Sequence, residues 1–179
     1  MRDNDLIRLF LPIIVDGLEA DGFTGVTVKQ ANQSTQQGIN TNPTVYFYKL
    51  ADKRYGFLRR DDTWDEEASE MVHTEEQVYE TTFTVQALVI QKPPNPYGYT
   101  ASDLVNEVAS IMQSDSAREI LMQSGVGILR IQPILNPYFT DDRDRFEASP
   151  SFDFTLTYKQ TRVSTTPVIE SFEYNIYRV

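Results

Sequence analysis

Leu6, Leu9, Phe10, Ile13, Ile14 and Leu18 recur at helical spacing between Asp3 and Asp21. That period predicts an amphipathic helix with one buried stripe. Asn4 or Asp3 suits its N-cap. Pro12 lacks a backbone donor and is expected to kink this helix or end its first part, and Gly22 and Gly25 stop it. Residues 30–43 change character: they are polar, rich in Gln and Asn, and hold Ile39 as their one large apolar residue. The composition predicts a polar loop ended by Pro43, long for a connection within one domain.

From Thr44 the period becomes that of a strand, with Val45, Phe47 and Lys49 alternating against Tyr46 and Tyr48. Residues 51–53 read as a turn and residues 54–60 as the returning strand, rich in aromatics and arginines. Residues 78–91 form the clearest strand. Tyr79, Thr81, Phe83, Val85 and Ala87 share one face, and the length suggests that it bends or runs beyond the core. The Pro-rich run at 92–99 is a turn. Residues 100–113 predict a helix with Thr100 and Asp103 as a capping box, followed by a short helix over 116–123 capped by Ser116 and Glu119. Gly125 sits where a helix end favours a left-handed residue. Strands are expected at 127–133, within 145–162 and at 169–179, the last two carrying alternating Phe and Tyr. The order is α, β-β-β, α-α, β-β-β. It predicts a single α+β domain over residues 1–179: an antiparallel β-sheet with helices packed on one face, plus a projecting β-hairpin.

At 179 residues with 40% hydrophobic content, the chain is long enough for one sizeable core. The net charge of −10 runs against general nucleic-acid binding, because a duplex would be repelled on average. The absence of cysteine removes disulfides, Cys-ligated zinc, iron–sulfur clusters and thiol catalysis. No stretch reaches the length of a membrane-spanning helix, and mixed charges before the first apolar run argue against a signal peptide. Synthesis in the cytoplasm and no membrane partner are the expectation.

Candidate chemistry is sparse. His73 is the single histidine, set in acidic surroundings without a nucleophile motif, so an exposed loop histidine is the plainer reading. The acidic segment 61–77 fails as a calcium loop, because its sixth position is Glu66 and its twelfth Val72. A solvated charged face is the plainer reading, and the functional one is contact with a basic partner or the lining of a passage through which DNA slides without sticking. Asp141, Asp142, Asp144 and Glu147 could hold Mg²⁺ for a hydrolase or nuclease, but Arg143 and Arg145 interleave with them, which favours local ion pairing. There is no Gly-rich phosphate loop, and no cofactor is expected. The aromatics at Tyr46, Tyr48 and Tyr55 could serve a ligand-binding module. With this charge they fit core and subunit interface better. Long strands and many aromatics suit a subunit that completes itself by pairing with its own copies.

The N-terminal helix, the aromatic hairpin expected over 45–60, the strand YETTFTVQALVI, the capped helix TASDLVNEVASIM and the stretch DRFEASPSFDFTLTYKQ together resemble the neck and tail-terminator proteins of tailed bacteriophages. The likeness is one of pattern and element order from about Leu6 to Tyr177, and the loop at 30–42 and the acidic run match poorly. The resemblance implies a structural virion protein without enzymatic activity, assembled in the host cytoplasm. It implies a ring of about six copies at the phage neck that caps the tail tube, with the genomic DNA passing through its lumen without sequence-specific contact. Partners implied are other copies of the chain, the tail tube and sheath proteins, and the head connector or stopper. Another head–tail joining role, as stopper or tail-completion protein, is the alternative. The expected subunit interface places Arg59 and Arg60 against a neighbour's acidic run, with Asp61, Asp62, Asp65, Glu66, Tyr46 and Tyr48 contributing.

Overall fold

The computed structural model describes residues 1–31, 42–89, 98–140 and 146–168; for 138–140 and 146–148 it describes the backbone alone. Helix α1 (Asp3–Ala20) leads into strand β1 (Thr27–Gln30). Two long strands follow, β2 (Thr44–Asp65) and β3 (Glu70–Leu88). Helices α2 (Ala101–Gln113) and α3 (Asp115–Gln123) precede strand β4 (Val126–Ile131). The small pair β5 (Tyr138–Thr140) and β6 (Phe146–Ala148) comes next, and then β7 (Ser151–Pro167). The main sheet is five-stranded in the order β1-β2-β3-β7-β4. β1 runs parallel to β2 and every other pairing is antiparallel. The α+β expectation holds, and among the described residues no helix is long and apolar enough to cross a membrane.

The helical stripe buries Leu6, Phe10, Ile13, Ile14 and Leu18. Phe10 lies at the centre of the core, edge-on to Phe47, Phe83 and Phe154 at centroid distances of 5.2, 4.9 and 5.3 Å. Fully burying such a side chain is worth about 1.5–3 kcal/mol, and edge-on ring pairs add to that. This anchoring explains why α1 continues through Pro12 rather than ending there. The proline costs one backbone hydrogen bond, while the buried residues on both sides of it hold the helix to the sheet. The helix starts at Asp3, so Asp3 and Asn4 lie inside the first turn. The Arg2 backbone N–H donates to the Asp5 carboxylate at 2.9 Å.

The other caps follow the same physics. Thr100 and Asp103 form the expected reciprocal box, with Asp103 N–H donating to Thr100 Oγ1 at 3.1 Å and Thr100 N–H to Asp103 Oδ2 at 2.8 Å. The cap of α3 is Ser114 rather than Ser116: its hydroxyl accepts from the Ala117 N–H at 3.2 Å, so the helix starts earlier than the sequence suggested. Gly125, with φ +70, takes the left-handed position that ends the last turn.

The largest correction concerns β2. Residues 51–53 are not a turn, and no strand returns at 54–60. Ala51 and Asp52 pair with Thr82 and Thr81, and the strand runs on to Asp65. The polar residues that read as a turn lie instead in an exposed strand with register irregularities between Lys49 and Ala51 and between Tyr55 and Arg59. Gly56, at φ +73, permits the second of these. The reversal falls at 66–69. The Asp65 carboxylate accepts from the Glu67 and Ala68 N–H groups at 3.0 and 3.1 Å, and Ser69 takes φ +51. The acidic segment 61–77 is therefore largely strand, the ends of β2 and β3. β3 itself begins at Glu70, well before residue 78.

Two further elements differ from the sequence reading. β1 had no counterpart in the sequence reading; its four residues pair in parallel with the start of β2. The strand expected within 145–162 is split at Ser149 and Pro150 into β6 and β7. The strand expected at 169–179 lies outside the described residues, as do most of the polar loop and of the Pro-rich run.

Candidate functional site

Two surfaces stand out, one on the strands and one on the helices. Beyond Leu50 of β2, Thr81 of β3 and Tyr158 of β7, none of the three strands holds a buried residue. They nevertheless stay paired, apart from the β2 bulge at 56–58, from Asp52 opposite Thr81 to Asp65 opposite Glu70, and from Glu80 opposite Thr157 to Glu70 opposite Pro167. The result is a three-stranded ribbon with, among the described residues, no helix over it. Cross-strand contacts hold it: Tyr79 stacks on Tyr158 at 5.7 Å, and Arg54 lies over the Tyr79 ring.

The charged residues singled out in the sequence lie on this ribbon and meet partners inside the same chain. Arg60 approaches Glu75 at 3.3 Å, and Arg59 and Lys159 approach Glu76 at 4.0 and 3.1 Å. Both arginine side chains remain about 70% exposed, at 71% and 72%. Asp65 shapes the turn that contains Glu66, and Asp61 lies opposite Thr74. Tyr46 and Tyr48 are elsewhere. They sit half-buried at the root of β2, with Lys29 over the Tyr46 ring. Thirteen residues of strand separate Tyr46 from Arg59, roughly 40 Å at ~3.3 Å per residue. The residues grouped by sequence reasoning thus belong to two places.

His73 is a correction, being no loop residue. It lies in β3, with Nδ1 2.7 Å from Asp62 Oδ1 and Nε2 2.9 Å from Thr166 Oγ1. The imidazole links all three ribbon strands. Asp, His and Thr in that order have the connectivity of a base oriented by a carboxylate toward a hydroxyl. They stand on the ribbon surface, outside the groove between the helices and outside the cavities lined by Tyr48 and Phe152 and by Arg118 and Met122.

Sequence reasoning missed the ribbon's bulge. Phe57 is 101% exposed, and Tyr55 and Leu58 beside it are exposed as well. Lys53, Arg54, Arg59 and Arg60 flank them, with no acid between residues 53 and 60. A glycine amid aromatics and arginines was the available signal, since an unpaired bulge needs a residue tolerant of positive φ.

The second surface is a groove of about 600 Å³ where α1 meets α2 and α3. Leu9, Pro12, Ile13, Ile111 and Ile120 give it apolar walls. Gly17 lets the helices approach closely, because a Cβ there would lie 2.7 Å from Ile111 Cγ2. Arg8, Asp16, Asp21 and Glu107 sit at the rim. Burial raises the pKa of the Glu107 carboxyl, and a hydrogen bond with Asp21 and its negative charge raise it further.

Lys49 ties the start of α1 to β2: its ammonium contacts Asp3 of α1 at 2.6 Å and Asp52 of β2 at 2.5 Å. Burial disfavours the charged lysine, but the two carboxylates outweigh it and raise its pKa. Burial likewise works against charged Asp52, and hydrogen bonds from Lys49 and from Thr81, the latter at 2.8 Å, reverse the sign and hold its pKa below the usual value.

Among the described residues no group of three His, Cys, Asp or Glu could hold a metal ion. Asp141, Asp142 and Asp144 lie outside those residues, and of Glu147 only the backbone is described. Residues 5–168 match the family described as E217 gateway protein gp29. A search of curated proteins finds no match.

Proposed function

The chain belongs to the E217 gateway protein gp29 family, a phage head–tail gateway family, and from that premise we propose that it is a ring-forming structural subunit of the phage neck. About six copies close a ring that ends the tail tube, receives the head connector on its other side, and lets the genome pass through its centre. The subunit performs no catalysis. The observation that carries this reading is the family match over residues 5–168. Two features of the chain support it. A ribbon whose outer edges are unpaired among the described residues, and which carries exposed aromatics, suits association with further copies. A charge of −10 suits a passage through which DNA slides without being gripped.

The ribbon, with Arg59 and Arg60, is the element through which copies contact one another. Charge reversal of both arginines is expected to prevent ring formation while leaving the subunit folded, as read by circular dichroism and native mass. The test of the function itself is native mass over a wide concentration range, with negative-stain images, both alone and with isolated tails. Closed rings, or addition to tail ends, support the reading. A subunit that neither forms rings nor adds to tails would sink it.

A further inference from the structure

The bulge and the groove are complementary in polarity and charge, yet they lie on different elements of the same chain. The bulge presents one fully exposed aromatic ring, Phe57, between Tyr55 and Leu58. Segment 53–60 carries four basic residues and no acidic one. The groove presents apolar walls and about 600 Å³, enough for an aromatic side chain and its neighbours. Its rim carries three carboxylates, on Asp16, Asp21 and Glu107, against the single guanidinium of Arg8. Asp21 of α1's end and Glu107 of α2 face the same groove, so a cation brought there would meet carboxyls from two elements.

The ribbon's own acids are a poorer target for a neighbour's arginines. Asp62 contacts His73, Glu75 contacts Arg60, and Glu76 contacts Arg59 and Lys159, all within the chain. An incoming cation there would compete with groups already matched, and Lys53, Arg59 and Arg60 in turn give up only exposed surface pairs, with Glu80, Glu76 and Glu75, to reach the groove's rim.

We infer that Phe57, carried on the β2 bulge of one copy, inserts into the groove between α1 and α2–α3 of the next, with the flanking lysine and arginines meeting the acidic rim. The contact joins two different surfaces. It is therefore heterologous, and repeating it generates a ring when the rotation closes. This inference rests on the ring reading above and supplies the contact that it lacks.

The absence of native cysteine makes a direct test possible. A Phe57→Cys protein and an Ile120→Cys protein, carrying tags of different length, are mixed and treated with a short bismaleimide, both in solution and after incubation with tails. Pairs linking 57 to 120 are expected to dominate over 57–57 and 120–120 pairs. Phe57→Ser is expected to raise the concentration needed for self-association at least about tenfold, with an unchanged melting curve. Rings of the unaltered protein without 57–120 pairs, or with Phe57→Ser assembling normally, would overturn the contact and leave the ring reading standing. Groove protection on tails by a tail protein, with no 57–120 pairs, would also overturn it and assign the groove to that partner. Absence of both rings and tail addition would remove the ring reading and the contact together.

Discussion

The same three strands, β2, β3 and β7, pass through two environments, and the contrast separates what folds this molecule from what it offers to others. In the helix-covered half, Phe47, Phe83, Val85, Phe154 and Leu156 are almost fully buried on one face. On the opposite face Thr84 donates to Asp153 at 2.7 Å, and the Thr82 and Thr155 hydroxyls meet at 3.0 Å. In the ribbon half, both faces are wet, and the strands are held by their ladder and by cross-strand pairs each worth about 0.2–1 kcal/mol. A covered sheet is stable by burial. A bare ribbon is marginal alone and gains most from something laid against it. Continuous strands let the first half brace the second.

Four changes would break or sharpen that contrast. The largest effect is expected for Phe10→Ala, which empties the centre of the core. It should cost about 3–5 kcal/mol in denaturant unfolding, whereas Phe57→Ala should stay within about 0.5 kcal/mol. Comparable losses at both sites would mean that the ribbon is part of the core after all. Next comes Gly17→Leu. The side chain would collide with Ile111, and about 1–3 kcal/mol should be lost while the helices part. An unchanged melting temperature would show that the groove can widen freely.

Lys49→Met, at the border between the halves, should cost about 1 kcal/mol or less near neutrality. The difference should also depend on pH in a definite direction. Asp52 has a depressed pKa, so its contribution is present above the ordinary aspartate value of 3.8 and is lost as pH falls through the depressed one. The melting temperatures of the two proteins should therefore converge as the solution is acidified below 3.8. A constant gap down to low pH would assign the loss to packing of the lysine stem instead. The smallest effect is expected for Arg60→Glu, opposite Glu75 in the ribbon: roughly 0.5 kcal/mol in the isolated subunit, and less in high salt. A large loss would make the ribbon's ion pairs structural.

The contrast also explains what could be read from the sequence. Where one face is buried, alternation is enforced: the faces of 79–87 and the stripe of α1 were legible residue by residue. Local chemistry was legible too, at Thr100, Asp103 and Gly125. In the ribbon neither face is buried, so nothing compels an apolar period, and Ala51-Asp52-Lys53 looked like a turn. The true reversal depends on an Asp65 side-chain bond that many acidic stretches could equally have made. The candidate site was half legible. Arg59, Arg60 and the nearby acids do share one element, but Tyr46 and Tyr48 do not join them, because distance along a strand accumulates faster than sequence grouping suggests. The Phe57 bulge and the helix groove needed three dimensions. One depends on a register shift and the other on residues from three helices.

The position of β7 in the sheet has a consequence in time. β2 and β3 are joined by the short reversal at 66–69 and can zip together locally. The partners that β3 needs on its other side run from Ser151, opposite Gln86, to Pro167, opposite Glu70. Those pairings must wait for a long intervening stretch, including both later helices, to be made and brought round, and such non-local closure is slow. Until it happens the inner edge of β3 is as bare as the outer edges of the finished ribbon. A newly made chain therefore passes through a stage at which a neighbour's strand could take the place reserved for its own. Slow expression at low temperature should favour the correct partner, and a burst of synthesis should favour inclusion bodies.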